Sequence, residues 1–428
     1  MAKRIPSDSE RNISSKLIVS CDVGMDSLHF VCRGLGGSAF PSVFTIDNRS
    51  DAIRTTLVEI RAKAASAGQT HMVLVLEPTG VYDKLLLRIA QELGIETRLV
   101  SGEDVAKMRQ VIFGDPGKTD ARDPQAIEAV ARHGRTAVVR VLTQVFALMR
   151  AWAKIYQDAE DGIVQAKGRV HRVLKLLFPD LDFSTDFIYS ASGEAIMHCY
   201  GWTPHRIVRD APGRIFERLR KHSRILRRSV DRLLASARAS ARSTPAGPLA
   251  DVVADQLALA WEEWARHMER RERARIKLEE LFDEARAGDP RLPEPVQGVA
   301  SKIGLARLFA ETGPLDDFAS WRQVLRYGGL NLCERQSGRY KGLTKISRKG
   351  RPQLRRILNE LVLPLVRRGS LYGEYYQRKI SVEKMPGTKA MTAVSRKFLK
   401  LIWGWAHSGV GFDRNRVFVC RATYLSAA

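Results

Sequence analysis

KLIVSCDVGMDSLHFVCR (residues 16–33) is the stretch on which the reading of the N-terminal third turns. An apolar run, KLIVSCD, ends on the carboxylate of Asp22. The GMDS turn then reverses the chain, and LHFVCR (28–33) reads as the hairpin partner. Working outward, VFTI (43–46) reads as a third strand, and residues 51–65 have helical spacing. MVLVLE (72–77) is a second fully apolar strand closing on an acid, Glu77. PTG breaks the chain, and residues 81–93 form a helix stopped by Gly94. A strand at 96–100, a loop, and a helix over about 122–132 complete an α/β domain. Two buried strands that each deliver an acid at the C-terminal end place a site at that sheet edge, where open α/β sheets hold ligands.

The rest of the chain is helical in pattern. Over 142–287, Leu219, Leu226 and Leu233, with Val230 and Ala237, recur every seven positions. STPAGP (243–248) breaks the chain, and Val253, Leu257, Trp261, Trp264 and Met268 continue on one face. Two long amphipathic helices joined by a loop, of coiled-coil type, are expected, with the tryptophans in the core rather than stacked on bases. Residues 291–410 open with LPEPVQGVA, have a helix over 302–311, carry the loop LNLCERQSGRYKGLTKISRKG, and continue as Arg- and Leu-rich helices. The expected division is a tail (1–16), an α/β domain (17–141), a helical middle (142–290), a mainly α domain (291–410) and a tail (411–428).

Charge separates these parts. The 428 residues carry a net charge of +23, pointing to a polyanionic partner. Residues 18–140 hold 15 acidic and 15 basic residues, so the excess lies elsewhere. Residues 335–356 hold nine Lys or Arg in 22 and no acid, a phosphate-binding composition. Residues 206–242, with twelve basic and three acidic, fit either a nucleic-acid groove or the polar face of a helical hairpin. No apolar run is long enough to span a bilayer, and the polar first sixteen residues lack a signal-peptide centre, so a cytoplasmic protein is expected. Cys21, Cys32, Cys199, Cys333 and Cys420 form no CxxC pair, which argues against a disulfide framework and a structural zinc site; Cys21 and Cys32 read as buried thiols.

Phosphodiester chemistry without an organic cofactor uses several carboxylates around Mg²⁺ or Mn²⁺, because hard cations take oxygen ligands. Asp22, Glu77 and the pair Asp120 and Asp123 of KTDARDPQAI are candidates. A three-residue spacing on an opening helix turn puts the last two on one face. The bland alternative is a helix cap with first-turn acids.

The segments CDVGMDS, LEPTGVYDKL and GKTDARDPQAIEAVAR resemble the successive motifs of the IS110-type (IS110/IS1111) transposases, DEDD recombinases with a RuvC-like, RNase H-fold catalytic domain. FAETGPLDDFASWRQVLRYGGLNLCERQSGRYKGLTKISRKGRPQLRRIL resembles that family's C-terminal transposase domain. By position, Asp22, Glu77, Asp120 and Asp123 match the metal-binding acids, and Ser337 matches the serine of the second active-site half. The resemblance implies a serine nucleophile, Mg²⁺ or Mn²⁺, double-stranded donor and target DNA, a structured bridge RNA, and a dimer or tetramer. Arg335, Arg339 and Lys341 would neutralise the attacked phosphate, with Lys345, Arg348, Lys349, Arg351, Arg355 and Arg356 extending the basic surface. Two features depart from the pattern: QGVA (297–300) replaces a PGIG-like turn, and a segment around 183–248 reads as an insertion. A RuvC-like junction nuclease using water, with Ser337 idle, and a non-catalytic nucleic-acid-binding protein are the competing readings.

Overall fold

A computed structural model describes residues 16–33, 43–115, 117, 119–244, 246–334, 336–337, 340–342 and 344–417. The chain divides into two compact units, residues 1–142 with 316–320, and residues 143–315 with 321–428.

The first unit is built on a six-stranded mixed sheet in the order β3-β2-β1-β4-β5-β6. Its strands are β1 (Leu17–Val23), β2 (Ser27–Arg33), β3 (Phe44–Asp47), β4 (Met72–Leu76), β5 (Glu96–Leu99) and β6 (Ala137–Val138). β1, β2 and β3 form an antiparallel meander, β1, β4 and β5 run parallel, and β6 is antiparallel to β5. Because side chains alternate along a strand, β1 sends Leu17, Val19, Cys21 and Val23 into one core. There they meet Ile53, Leu57 and Ile60 of α1 (Ser50–Ser66) and Leu86 and Ile89 of α2 (Asp83–Glu92). Ile18, with Val73 and Val75 of β4, faces a second core completed by Val105 of α3 (Gly102–Phe113) and by Ala126, Ile127 and Val130 of α4 (Asp123–Arg132). The sheet is covered on both faces, so its central strands are apolar throughout, as the sequence of 16–22 and 72–76 requires. Asn48 Nδ2 donates to the carbonyls of Gly24, Met25 and Tyr82, fixing the β1–β2 turn beside the approach to α2.

One expectation for this unit is corrected. The stretch after β5 reads as loop, yet residues 102–113 form α3. Only Val105 and Arg109 of α3 are buried, while Val111 and Ile112 are exposed, so the sequence shows no clean apolar stripe.

In the second unit two long helices, α5 (Gln144–Leu177) and α11 (Pro248–Gly288), pair along their length. Arg169 pairs with Glu263, and Arg271 donates to Glu160 at 3.1 Å. At Gly162 a Cβ would overlap the His267 ring, so this close approach requires glycine. Between the long helices, α6 (Thr185–Ile188), α7 (Ala191–Tyr200), α8 (Pro204–Ile207), α9 (Pro212–Arg220) and α10 (Arg227–Ser243) enclose a core that includes Phe178, Trp202, Trp261 and Trp264. Tyr189 stacks on Trp261 at 5.5 Å, and the two tryptophans meet edge to face at 5.1 Å, confirming their packing role.

The expected helical hairpin is therefore made differently. The partner of α11 is α5, and residues 215–237 are broken between α9 and α10. Leu226 satisfies the seven-residue spacing but is exposed in an extended conformation, as the residue preceding α10.

The remaining elements are α12 (Lys302–Thr312), α13 (Trp321–Tyr327), β7 (Leu332–Cys333), β8 (Gln336–Ser337), β9 (Tyr340–Lys341), β10 (Lys345–Ile346), α14 (Pro352–Val362), α15 (Gly373–Ser381) and α16 (Gly387–Ser408). QGVA forms a tight turn closed by the Val296–Ala300 bridge, with Gly298 at φ +74°. Ser301 then caps α12 by accepting from Gly304 N at 3.2 Å. Among the described residues no helix is long and apolar enough to cross a membrane.

Candidate active site

The parallel register of β1 and β4 ends with Cys21 opposite Leu76. One step further, the same register sets Asp22 beside Glu77, on the face that carries Ile18, Val73 and Val75. α3 and α4 cover that face, so both acids emerge where the strands run out beneath the helix N-termini. Each is half-buried. Gly102, the first residue of α3, lies against the Glu77 carboxylate so closely that a Cβ would overlap Oε1.

Asp123 is the first residue of α4 and is buried. Its Oδ1 lies 2.7 Å from Nε of Arg109, a residue of α3. Asp120 is not on the helix: it sits in the preceding turn, where Thr119 O accepts from the N–H groups of Arg122 and Asp123. The expectation of one shared helix face is corrected to a turn followed by a helix start. The capping alternative holds only in that Asp123 is an acid of the first turn. The residue preceding α4 is Arg122, and no side chain caps the helix.

His29 belongs to this edge although nothing in the sequence singled it out. It lies directly opposite Asp22 across the antiparallel β1–β2 pair, and such partners share a face. Its Nε2 is 3.7 Å from Asp120 Oδ2 and 3.2 Å from Ser27 Oγ, and its Nδ1 is 2.9 Å from Thr45 Oγ1. Asp120 is thereby joined to β2, the strand paired with the one bearing Asp22, its carboxylate three-quarters exposed. The only available signal for His29 was its i, i+2 position with Ser27 on a hairpin strand.

The four acids thus line one edge of one face, and all offer hard oxygen donors of the kind Mg²⁺ or Mn²⁺ takes. Among the described residues, no three of these carboxylates bring oxygens within 4.8 Å of one another. Arg109 supplies the cation that Asp123, buried as it is, requires. The neighbouring thiols are inert: burial, reinforced by Asp22, pushes Cys21 well up, and burial pushes Cys32 up to about 12.

Comparison with known families decides what this edge belongs to. A model described as "Transposase", of the DEDD IS110 type, matches residues 19–179. A second, "Transposase IS116/IS110/IS902 family", matches residues 295–377. The chain belongs to the IS110 family of transposases. The first match spans all four acids, the second spans Ser337 and the basic loop, and the IS110 chain's helices α6–α10 lie between the two. Among solved structures it is similar to "T. thermophilus RuvC in complex with Holliday junction substrate" (14% identity, 29% of this chain and 99% of that one, TM-score 0.22). It is also similar to "Thermus thermophilus RuvC structure" (15% identity, 29% and 99%, TM-score 0.21). The comparison with curated proteins gives no match.

In the second unit of this transposase, Ser337 pairs with Tyr340 in the β8–β9 hairpin, the last strand position before residues 338–339. Arg335 and Arg339 lie outside the described residues, and Lys341 is placed in β9 opposite Gln336. The other basic residues separate into two groups. Arg351 pairs with Glu311, and Arg356 with Asp161 and Glu360. Arg355 donates to the carbonyls of Gly328 and Gly350 at 2.9 and 3.3 Å. Acids distant in sequence therefore compensate part of a segment that has none of its own. Lys345, Arg348 and Lys349 are exposed, with Arg348 in the left-handed region at φ +55°.

Proposed function

We propose that this transposase cuts and rejoins DNA strands through Ser337, with Asp22, Glu77, Asp120 and Asp123 holding Mg²⁺ or Mn²⁺. The observation that carries the reading is the register that sets Asp22 beside Glu77 on the face covered by α4. It brings together two acids 55 residues apart in sequence, at the face on which α4 opens with Asp123. Such a cation supplies the positive charge that favours the ionised hydroxyl and the departing oxygen of a phosphodiester exchange. The serine oxygen attacks the DNA phosphorus, and the bond from phosphorus to one DNA oxygen breaks. The serine proton passes to solvent, and the departing oxygen takes a proton from solvent, so the strand leaves as a free hydroxyl. A hydroxyl of the recipient strand then attacks the phosphoserine, joining the new strand and restoring Ser337.

In this reading residues 17–141 prepare the chemistry, 142–290 shape the assembly, and 291–410 deliver the nucleophile. Arg335, Arg339 and Lys341 neutralise the reacting phosphate, and Lys345, Arg348 and Lys349 hold flanking backbone. A net charge of +23 suits a chain that grips donor and target duplexes together with a structured bridge RNA, as a dimer or tetramer.

The test is to incubate wild type, Ser337→Ala and Asp22→Ala with element-end DNA, guide RNA and Mg²⁺, and to look for protein–DNA adducts and joined products. Adducts that need both residues support the proposal. Cleavage that survives Ser337→Ala assigns attack to water, and no cleavage by wild type in either metal assigns binding alone.

A further inference from the structure

Outside the acidic edge, the fold assembles a second cluster of metal-ligating side chains. His198 and Cys199 lie in the last turn of α7, and His222 lies in the link between α9 and α10. One ligand atom from each falls within 4.8 Å of the other two, the one such set of three among the described residues. Cys199 Sγ is 3.9 Å from His198 Nδ1, and the two imidazole rings meet at 4.6 Å between centroids. Both histidines are exposed and the thiol is half-buried, so an ion has a path in. Zinc binds sulfur at about 2.3 Å and nitrogen at about 2.0–2.1 Å, which sets a tetrahedral S···N edge near 3.6 Å. The separations present, all within 4.8 Å, need shifts of up to about 1.5 Å, within reach of rotation of exposed rings.

Donor chemistry sets this cluster apart from the acid edge. Two imidazoles and a thiolate select zinc or a related transition ion, whereas Mg²⁺ takes oxygen. The surroundings are basic, but Asp210 offsets them by taking Arg214 and Arg218 at 3.4 and 3.3 Å. Cysteine spacing along the chain argues against zinc, since no CxxC pair exists. The tertiary fold supplies histidines in place of further cysteines.

We propose that His198, Cys199 and His222 form a binding site for a zinc-type divalent ion, with its fourth position open, that staples the end of α7 to the α9–α10 link. The link continues into a corner that bears Arg220, Lys221, Arg224, Arg227 and Arg228, all exposed, and residues 218–230 include no acid. Cross-linking there holds a phosphate-binding surface in one shape.

The experiment titrates the chelator-stripped full chain with Co²⁺ alone and reads the near-ultraviolet sulfur-to-cobalt charge-transfer band, then displaces Co²⁺ with Zn²⁺. Carboxylate-bound cobalt gives no such band, so the acid edge is silent. One band-forming Co²⁺ per chain is expected, lost in Cys199→Ser, unchanged in Cys333→Ser, and weakened at least ~10-fold in affinity by His222→Asn. Absence of the band in wild type, or its survival in Cys199→Ser, overturns the proposal. If Cys199→Ser does not fold by circular dichroism, His222→Asn on the exposed link decides, and unchanged affinity overturns it.

Discussion

Gly102→Ala tests the acid edge at its tightest point. The three atoms nearest to an added Cβ all belong to the Glu77 carboxylate, and Oε1 would overlap it. Restoring ordinary van der Waals contact requires the carboxylate to retreat by about 1 Å. It is the end of a flexible side chain, so Glu77 moves and the backbone does not. A misplacement of this size in a reacting site costs about 10²-fold in rate, or roughly 2.7 kcal/mol of barrier. Stability should go the other way. Gly102 has no left-handed φ and opens a helix, where alanine is favoured over glycine by up to ~1 kcal/mol. The expected result is strand cutting slowed about 10²-fold with a melting temperature equal to wild type or slightly higher, and Glu77→Gln behaving as a more severe version. Single-turnover cleavage and calorimetry on the same preparations measure both. Wild-type cleavage by a folded Gly102→Ala protein would refute the placement of Glu77 in the site. A stability loss above ~2 kcal/mol would show that the conflict falls on the fold and not on the carboxylate.

Two glycines of α5 should respond in opposite directions. Gly162→Ala drives a methyl into the His267 ring and is expected to cost about 1–3 kcal/mol, while Gly168→Ala meets nothing within 4 Å and is expected to gain up to ~1 kcal/mol; denaturant unfolding of both variants is the check. The basic loop should divide likewise. Arg351→Met strands Glu311, only 8% exposed, and is expected to lower stability by roughly 3 kcal/mol. Lys345→Ala and Lys349→Ala should leave the melting temperature unchanged and each reduce the salt dependence of DNA binding by about one phosphate contact, read from binding at several salt concentrations. Equal salt slopes for wild type and both lysine variants would remove these residues from the nucleic-acid surface.

Much of the first unit was written in local sequence. Residues 16–22 and 72–76 are apolar at every position but Lys16, Ser20 and Asp22, and a strand covered on both faces has no other way to be solvated. β1 runs one residue past Asp22 to the buried Val23, and β4 stops one residue short of Glu77, so both acids lie within a residue of a strand end and were legible there. The motifs that carry the family resemblance are likewise local, and the family matches agree with them. What stayed hidden depends on partners distant in the chain. Arg109 is one basic residue among fifteen in its region until α3 and α4 pack together and it becomes the counter-charge of Asp123. His29 gains meaning only through the register of β1 with β2. Glu311, Asp161 and Glu360 turn two arginines of an apparently uncompensated loop, Arg351 and Arg356, into structural pairs, because charge balance is struck in space and not along sequence. Seven-residue spacing at 215–237 suggested a continuous helix, yet periodicity cannot tell a chain that stays helical from one that breaks between two buried faces. Sequence by itself determined which residues could not face water and which acids end the buried strands. Tertiary structure decided which of the charged residues meet, since that depends on pairing register and helix packing between segments that do not know of each other until the chain has folded.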